Sequence, residues 1–141
     1  MPGVLVDASA LIALLDHDDV GHQRCVEALK RVRGPLSTVW PALTEAMHLL
    51  ADIPRGVDAL CDMVSDEAVL LLELEAADLA RMKALMQKYR DLPMDFADAA
   101  LVRAAERERI TRIVTLDSHF HLYRLPHRGR FAVLPSPARR P

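Results

Sequence analysis

The chain has 141 residues, 51% of them apolar and 27% charged, with a formal net charge of -2. That fits one globular domain, and it excludes both a disordered chain and a protein that coats nucleic acid indiscriminately. The early apolar run is broken at Asp7 and the first basic residue is Arg24, so no secretory leader is expected; nor does any later run approach the roughly 18 apolar residues that span a bilayer. A cytoplasmic protein with no membrane partner is the expectation. Cys25 and Cys61 lack any CxxC or Cys/His ligand spacing and read as small buried apolar groups of a reduced protein.

In chain order, "VLV" at Val4 to Val6 predicts a short strand, ended by Asp7, with Ser9 able to cap the helical run "ALIALLD". A second helix is expected over Val20 to Val32, where Cys25, Val26, Leu29 and Val32 share a face. "PLSTVW" reads as a strand running into "PALTEAMHLLAD", whose proline suits a first helical turn. Pro54 opens "RGVDALCDMVS", apolar at Val57, Leu60, Met63 and Val64. "AVLLLEL" predicts a strand buried on both faces, and "EAADLA" starts a helix running to about Arg90.

"DLPMDFADAALVRAAERERI" predicts a further helix with Phe96, Ala100, Leu101 and Ala104 or Ala105 at a period near 3.6. "TRIVTLD" is the next strand, again closed by an aspartate, and "FAVLP" a last edge strand ended by Pro135. From Arg124 onward the chain is basic, carrying Arg124, His127, Arg128, Arg130, Arg139 and Arg140, with no acid after Asp117. The expected organisation is one domain over residues 1–135 and a basic tail over 136–141.

Strands alternating with helices predict an α/β fold, with a mainly parallel central sheet of four to five strands flanked by helices. Ligands bind such sheets beyond the C-terminal strand ends. Asp7, Glu45, Asp95, Asp98 and Asp117 all fall at that edge, each region of acid arriving on a different element. Carboxylates within about 4–6 Å of one another raise each other's pKa unless a cation compensates, and hard oxygen donors suit Mg²⁺ or Mn²⁺. Taken singly, each acid also has an ordinary role: Asp7 as a helix cap, Glu45 as a solvated residue, "DFAD" as a capping box, and Asp117 in a turn.

Four segments, "VLVDASALIALL", "TEAMHLL", "MDFADAALVRAAE" and "IVTLDSHF", resemble in order and spacing the PIN-domain family, and within it the VapC-like toxin ribonucleases of bacterial toxin-antitoxin pairs. The resemblance implies a metal-dependent endoribonuclease that holds Mg²⁺ or Mn²⁺ on Asp7, Glu45, Asp98 and Asp117. It would cut single-stranded or loop RNA with metal-activated water, leaving 5′-phosphate and 3′-hydroxyl ends. Asp95 is then an accessory acid, and Ser9 and Thr115 match hydroxyl positions that orient Asp7 and Asp117. The resemblance further implies a homodimer neutralised by a VapB-like antitoxin, and the apolar groups between Pro54 and Ser65 are the candidate interface.

Ser118 and His119 stand where many relatives carry basic residues, so RNA contacts are sought among Arg103, Arg112, Arg124 and Arg128. Two alternatives remain: a catalytically degenerate PIN-like binding module, and an aspartate-dependent phosphatase of the haloacid-dehalogenase type. Against the phosphatase, Asp7 is followed by Ala8 and Ser9 rather than by a second aspartate. His119 and His121 have no further Cys or His to complete a zinc set, and Trp40, Tyr89 and Tyr123 are too scattered to form a stacking platform and read as packing residues.

Overall fold

A computed structural model describes residues 3–136. The elements are β1 (Val4–Val6), α1 (Ala8–Leu15), α2 (His22–Lys30), β2 (Leu36–Thr38), α3 (Trp40–Leu49), α4 (Gly56–Ser65) and β3 (Leu70–Leu71). They are followed by α5 (Leu79–Lys88), α6 (Phe96–Glu108), β4 (Arg112–Val114), β5 (Arg124–Leu125), β6 (Gly129–Arg130) and β7 (Ala132–Leu134). Short 3₁₀ turns at Ala76–Asp78 and Ser118–His121 lead into α5 and follow β4. Most of the expected basic tail, residues 137–141 with Arg139 and Arg140, lies outside the described residues.

Five strands form a parallel sheet in the order β3-β2-β1-β4-β7, and β5 and β6 pair as a separate antiparallel ribbon. β1 pairs on one side with β2 and on the other with β4, so the connections diverge at β1 and open a crevice beyond its C-terminal end. Both faces of the sheet are covered, which is why "VLV" is apolar without alternation. Leu5 and Ile113 pack into one core with Met82, Leu85, Leu101 and Phe120 from the α5 and α6 side. Val4, Val6 and Val114 turn to the opposite core, with Leu11, Cys25, Leu43 and Leu60 from α1 to α4.

The structure corrects several details. The "AVLLLEL" segment contributes only Leu70 and Leu71 to β3, at the sheet edge, and Leu70 is exposed; an edge position gives a continuous apolar run nothing to bury against on one side. Asp7, not Ser9, caps α1, its side chain accepting from the Ala8 N–H. Cys61 is exposed, because Leu60 takes the inward position and the next residue is rotated by roughly 100° around α4. Val57, Met63 and Val64 pack against the α1–α4 core, so the segment from Pro54 to Ser65 has little apolar surface left for a partner. Among the described residues, no helix is long and apolar enough to cross a membrane.

Candidate active site

Asp7 and Asp117 come to the crevice because they end the adjacent strands β1 and β4. Asp7 is almost wholly buried. Its Oδ1 accepts the Ala8 N–H at 2.7 Å, and its Oδ2 accepts the Thr115 hydroxyl at 2.8 Å and the Ser9 hydroxyl at 3.2 Å. The Ser9 and Thr115 hydroxyls lie 3.2 Å apart and in turn accept the backbone N–H groups of Leu116 and Asp117 at 3.0 Å each. The two strand ends are thereby stitched together by side chains. Asp117 Oδ1 accepts the His119 N–H at 2.9 Å, which opens the following 3₁₀ turn.

Asp95 and Asp98 form a reciprocal cap at the start of α6. The Asp98 N–H donates to Asp95 Oδ1 at 2.8 Å, and the Asp95 N–H to Asp98 Oδ2 at 3.4 Å. Asp98 is buried while Asp95 is exposed. A second donor to Asp98 Oδ2 is the Tyr123 hydroxyl at 3.1 Å. Tyr123 is fully buried, in edge-on contact with Tyr89 and Phe120, so its packing and its polar contact are both used. Glu45, half-buried on α3, has no hydrogen-bonded or ionic partner among the described residues.

Asp7, Ser9, Asp19, Glu45, Asp95, Asp98 and Asp117 line one cavity of about 280 Å³. Asp19 is an addition to the expected set: it sits in the "DHDDVG" loop, which reads as solvated, and its Oδ1 accepts the Gly21 N–H at 2.8 Å. No lysine or arginine lines this cavity among the described residues. The electrostatic consequence is clear. Burial, reinforced by Asp95, Asp7 and Asp117, raises the Asp98 carboxyl from 3.8 to about 7. Burial also raises Asp7 despite its three donors, and raises Glu45, with help from the charges of Asp95, Asp7 and Asp117.

None of Arg103, Arg112, Arg124 and Arg128 lines the acid cavity. Arg103 Nε pairs with Asp78 Oδ1 at 2.8 Å and Arg107 with Asp78 Oδ2 at 2.7 Å, fastening α6 to the start of α5. Arg112 begins β4, at the strand end away from Asp117, and donates to the Arg33 carbonyl at 2.9 Å. Arg124 donates to the carbonyls of His121 and Leu122 at 3.0 and 2.9 Å. Arg128 is exposed in the 126–128 turn with φ 63°. Trp40 departs from its expected packing role and is 63% exposed.

A five-stranded parallel sheet with carboxylates gathered where its connections diverge defines a class of acidic-site α/β domain. The chain belongs to the PIN-domain family, whose model matches residues 4–125. It is 32% identical over 136 residues to Ribonuclease VapC26 of Mycobacterium tuberculosis, covering 94% of this chain and all of that protein. Its fold is similar to the crystal structure of VapC20 from the same organism, titled a Sarcin-Ricin loop cleaving toxin. That match has a TM-score of 0.75 and 17% identity, and covers 82% of this chain and 90% of the other.

Proposed function

We infer that the chain is a divalent-cation-dependent endoribonuclease of the VapC type, acting in the cytoplasm on single-stranded or loop RNA. One observation carries the reading: among the described residues, six carboxylates, those of Asp7, Asp19, Glu45, Asp95, Asp98 and Asp117, line a single cavity that has no lysine or arginine on its walls. Similarity to a protein named a ribonuclease over nearly the whole chain supports the same conclusion.

The donor set fits Mg²⁺ or Mn²⁺, being all oxygen and electrostatically uncompensated. Among the described residues no three Asp, Glu, His or Cys side chains are grouped closely enough to hold a metal ion, so the fit rests on the chemistry of the donor set. When bound, such an ion supplies Lewis acidity toward the phosphodiester and lowers the pKa of a bound water. Asp7 and Asp98 are the buried ligands, with Glu45 and Asp117 completing the set directly or through water.

The chain's own residues do the positioning. Ser9 and Thr115 hold the Asp7 carboxylate toward the cavity, Tyr123 fixes Asp98, and Asp95 holds the first turn of α6. No side-chain nucleophile is required, because water attacks phosphorus in line and the leaving ribose oxygen departs opposite it. We also assign residues 1–135 to one nuclease domain, acting as a homodimer held in check by a small VapB-like antitoxin.

The test is cleavage of single-stranded and hairpin RNA by purified protein. Cutting should stop in EDTA and return with Mg²⁺ or Mn²⁺. Undiminished cutting in EDTA would exclude the metal mechanism, and no cutting with either ion would favour a degenerate binding module.

A further inference from the structure

The acid cavity has a neighbour. Leu116 and Asp117 also line a second, smaller cavity of about 150 Å³, whose other walls are Arg24, Thr115, Ser118, His121, Val133 and Pro135. Leu116 and Asp117 are shared, so the two cavities lie on either side of a single aspartate. Arg24 is the sole lysine or arginine on the walls of either among the described residues.

α2 is held against the strand β4 exit at a fixed distance. The start of α2 approaches Leu116 closely: a Cβ at Gly21 would meet the tip of the Leu116 side chain, which would have to shift. Arg24 follows three residues on. Its guanidinium donates one hydrogen bond, to the Ser136 carbonyl at 3.2 Å, and makes no ion pair among the described residues. It is exposed, and its remaining N–H donors are turned to the notch and solvent.

Beyond Pro135 the surface continues into a shallow groove of about 330 Å³ along α2, lined by Arg24, Gln23, Glu27, Arg31, Leu134 and Ser136. Arg24 and Arg31 are seven residues apart, about two helical turns or roughly 10 Å. The one acid between them, Glu27, is engaged by Lys30 at 3.3 Å and by Gln23 at 2.9 Å. Arg24 and Arg31 thus lie beyond Asp117 from the acid cavity with no ion pair among the described residues, whereas no described lysine or arginine lines the acid cavity itself.

A strand of RNA bound at the acid cavity must carry its flanking phosphates somewhere, and carboxylates repel them. Guanidinium groups are suited to phosphate oxygens, with two N–H donors meeting two acceptors. We propose that the Arg24 notch, continued by Arg31 on α2, is the phosphate subsite for the RNA strand passing Asp117 on its way out of the acid cavity. This rests on the endoribonuclease reading above and assigns that site a polarity of charge: scissile phosphate among the carboxylates, neighbouring phosphates on Arg24 and Arg31. Arg24 is a positioning residue, since it touches substrate away from the reacting atoms.

The experiment measures both cleavage kinetics and binding of a single-stranded RNA oligonucleotide across a salt series, binding being read in an Asp98→Asn background. Arg24→Gln should raise KM about tenfold, equivalent to the loss of about 1.4 kcal/mol, while kcat stays within about twofold. It should also lower the slope of log affinity against log salt by about 0.7, the value for one phosphate contact on a single strand. Arg31→Gln should do the same to a smaller extent, and Arg24→Lys should recover part of the loss. An unchanged KM and salt slope in Arg24→Gln, with wild-type protein cutting the same RNA, would overturn the subsite and leave the nuclease reading standing. Wild-type protein that neither cuts nor binds the RNA would overturn both.

Discussion

The Tyr123 hydroxyl donates to Asp98 Oδ2 at 3.1 Å, joining a fully buried aromatic to a carboxyl that burial and neighbouring acids raise to about 7. The bond favours the charged form of Asp98 against the burial and neighbouring acids that oppose it, and the same surroundings push the tyrosine hydroxyl well above its usual range. Tyr123 is therefore a fixed donor at working pH. It gives a buried carboxylate a partner that is not lost to titration.

Tyr123→Phe should leave the fold intact, since the ring keeps its contacts with Tyr89 and Phe120. Removal of such a supporting hydrogen bond should weaken cation binding by about 10–100-fold. Calorimetric titration of Mn²⁺ reads this without reference to cleavage. Unchanged Mn²⁺ affinity would mean that Asp98 is held by its backbone alone.

That Asp7, Glu45, Asp95, Asp98 and Asp117 share one cavity is legible in the sequence, and the reasons are local. Asp7 and Asp117 are single charges placed where apolar strands end, a pattern that core formation has no use for. Asp98 lies one turn from an aspartate that caps its own helix. Tyr123 was not readable as a partner of Asp98, because 25 residues separate them and no periodicity links a turn aromatic to a helix acid. Asp19 was hidden in a run of loop acids. The surroundings of the arginines were not legible, because they depend on tertiary packing: Arg103 lies on the α6 face that meets Asp78, and Arg24 comes beside Leu116 and Asp117 through the seating of α2. Phe96 fits the helical period of α6 but occupies its first turn, at the rim, and is 47% exposed.

Asp95 and Asp98 should separate under mutation. Asp98→Asn keeps the size of the side chain but removes the charge proposed to hold the cation, so cleavage should be abolished in a folded protein. Asp95→Ala loses the acceptor for the Asp98 N–H and should cost about 0.5–2 kcal/mol, with a smaller effect on rate. Thermal denaturation alongside cleavage assays distinguishes them. Equal loss of activity in Asp95→Asn at unchanged melting temperature would make both residues ligands.

The metal-free protein should become less stable as pH rises from about 5 to about 8. Asp98 binds its proton more tightly in the folded state, with its pKa raised from 3.8 to about 7. Its contribution to stability is thus full below the unfolded value and is lost as pH passes the folded one; Asp7 and Glu45, also raised, act in the same direction. Mg²⁺ should reverse the loss, with a larger rise in melting temperature at the alkaline end. A melting temperature independent of pH in EDTA would contradict this.

Arg103 should prove to be a structural residue. Asp78 is buried and its carboxyl is held below the usual range, first by the Glu75 N–H and then by Arg103 and Arg107. With its folded pKa depressed, Asp78 contributes stability above the unfolded value of 3.8, and that contribution is lost as pH falls through the folded one. Arg103→Ala leaves Asp78 with Arg107 as its one cationic partner and should destabilise by about 1–3 kcal/mol. RNA affinity at a temperature where the variant is folded should be unchanged, in contrast to Arg24→Gln. Weaker RNA binding with unaltered stability would return Arg103 to the substrate surface.

The homodimer proposed above should use the face around Trp40 rather than the segment from Pro54 to Ser65. Trp40, Leu79 and Phe96 are 63%, 52% and 47% exposed and gather with Leu72, Leu74 and Met82 around one apolar hollow of about 280 Å³. Large apolar side chains exposed together are unusual on a monomer, and a second copy of the same face, related by a two-fold axis, would bury both at once. The hollow adjoins a trough that includes Glu45 and Asp95, so pairing here would set two acid cavities near a common edge. Trp40→Glu should shift the protein to monomer in sedimentation or light scattering at high micromolar concentration, with its melting temperature then independent of protein concentration. Leu60→Ala, a core change in α4, should lower stability without dissociating the dimer. A wild-type protein that is monomeric under those conditions, or a Trp40→Glu variant that stays dimeric, would refute this interface.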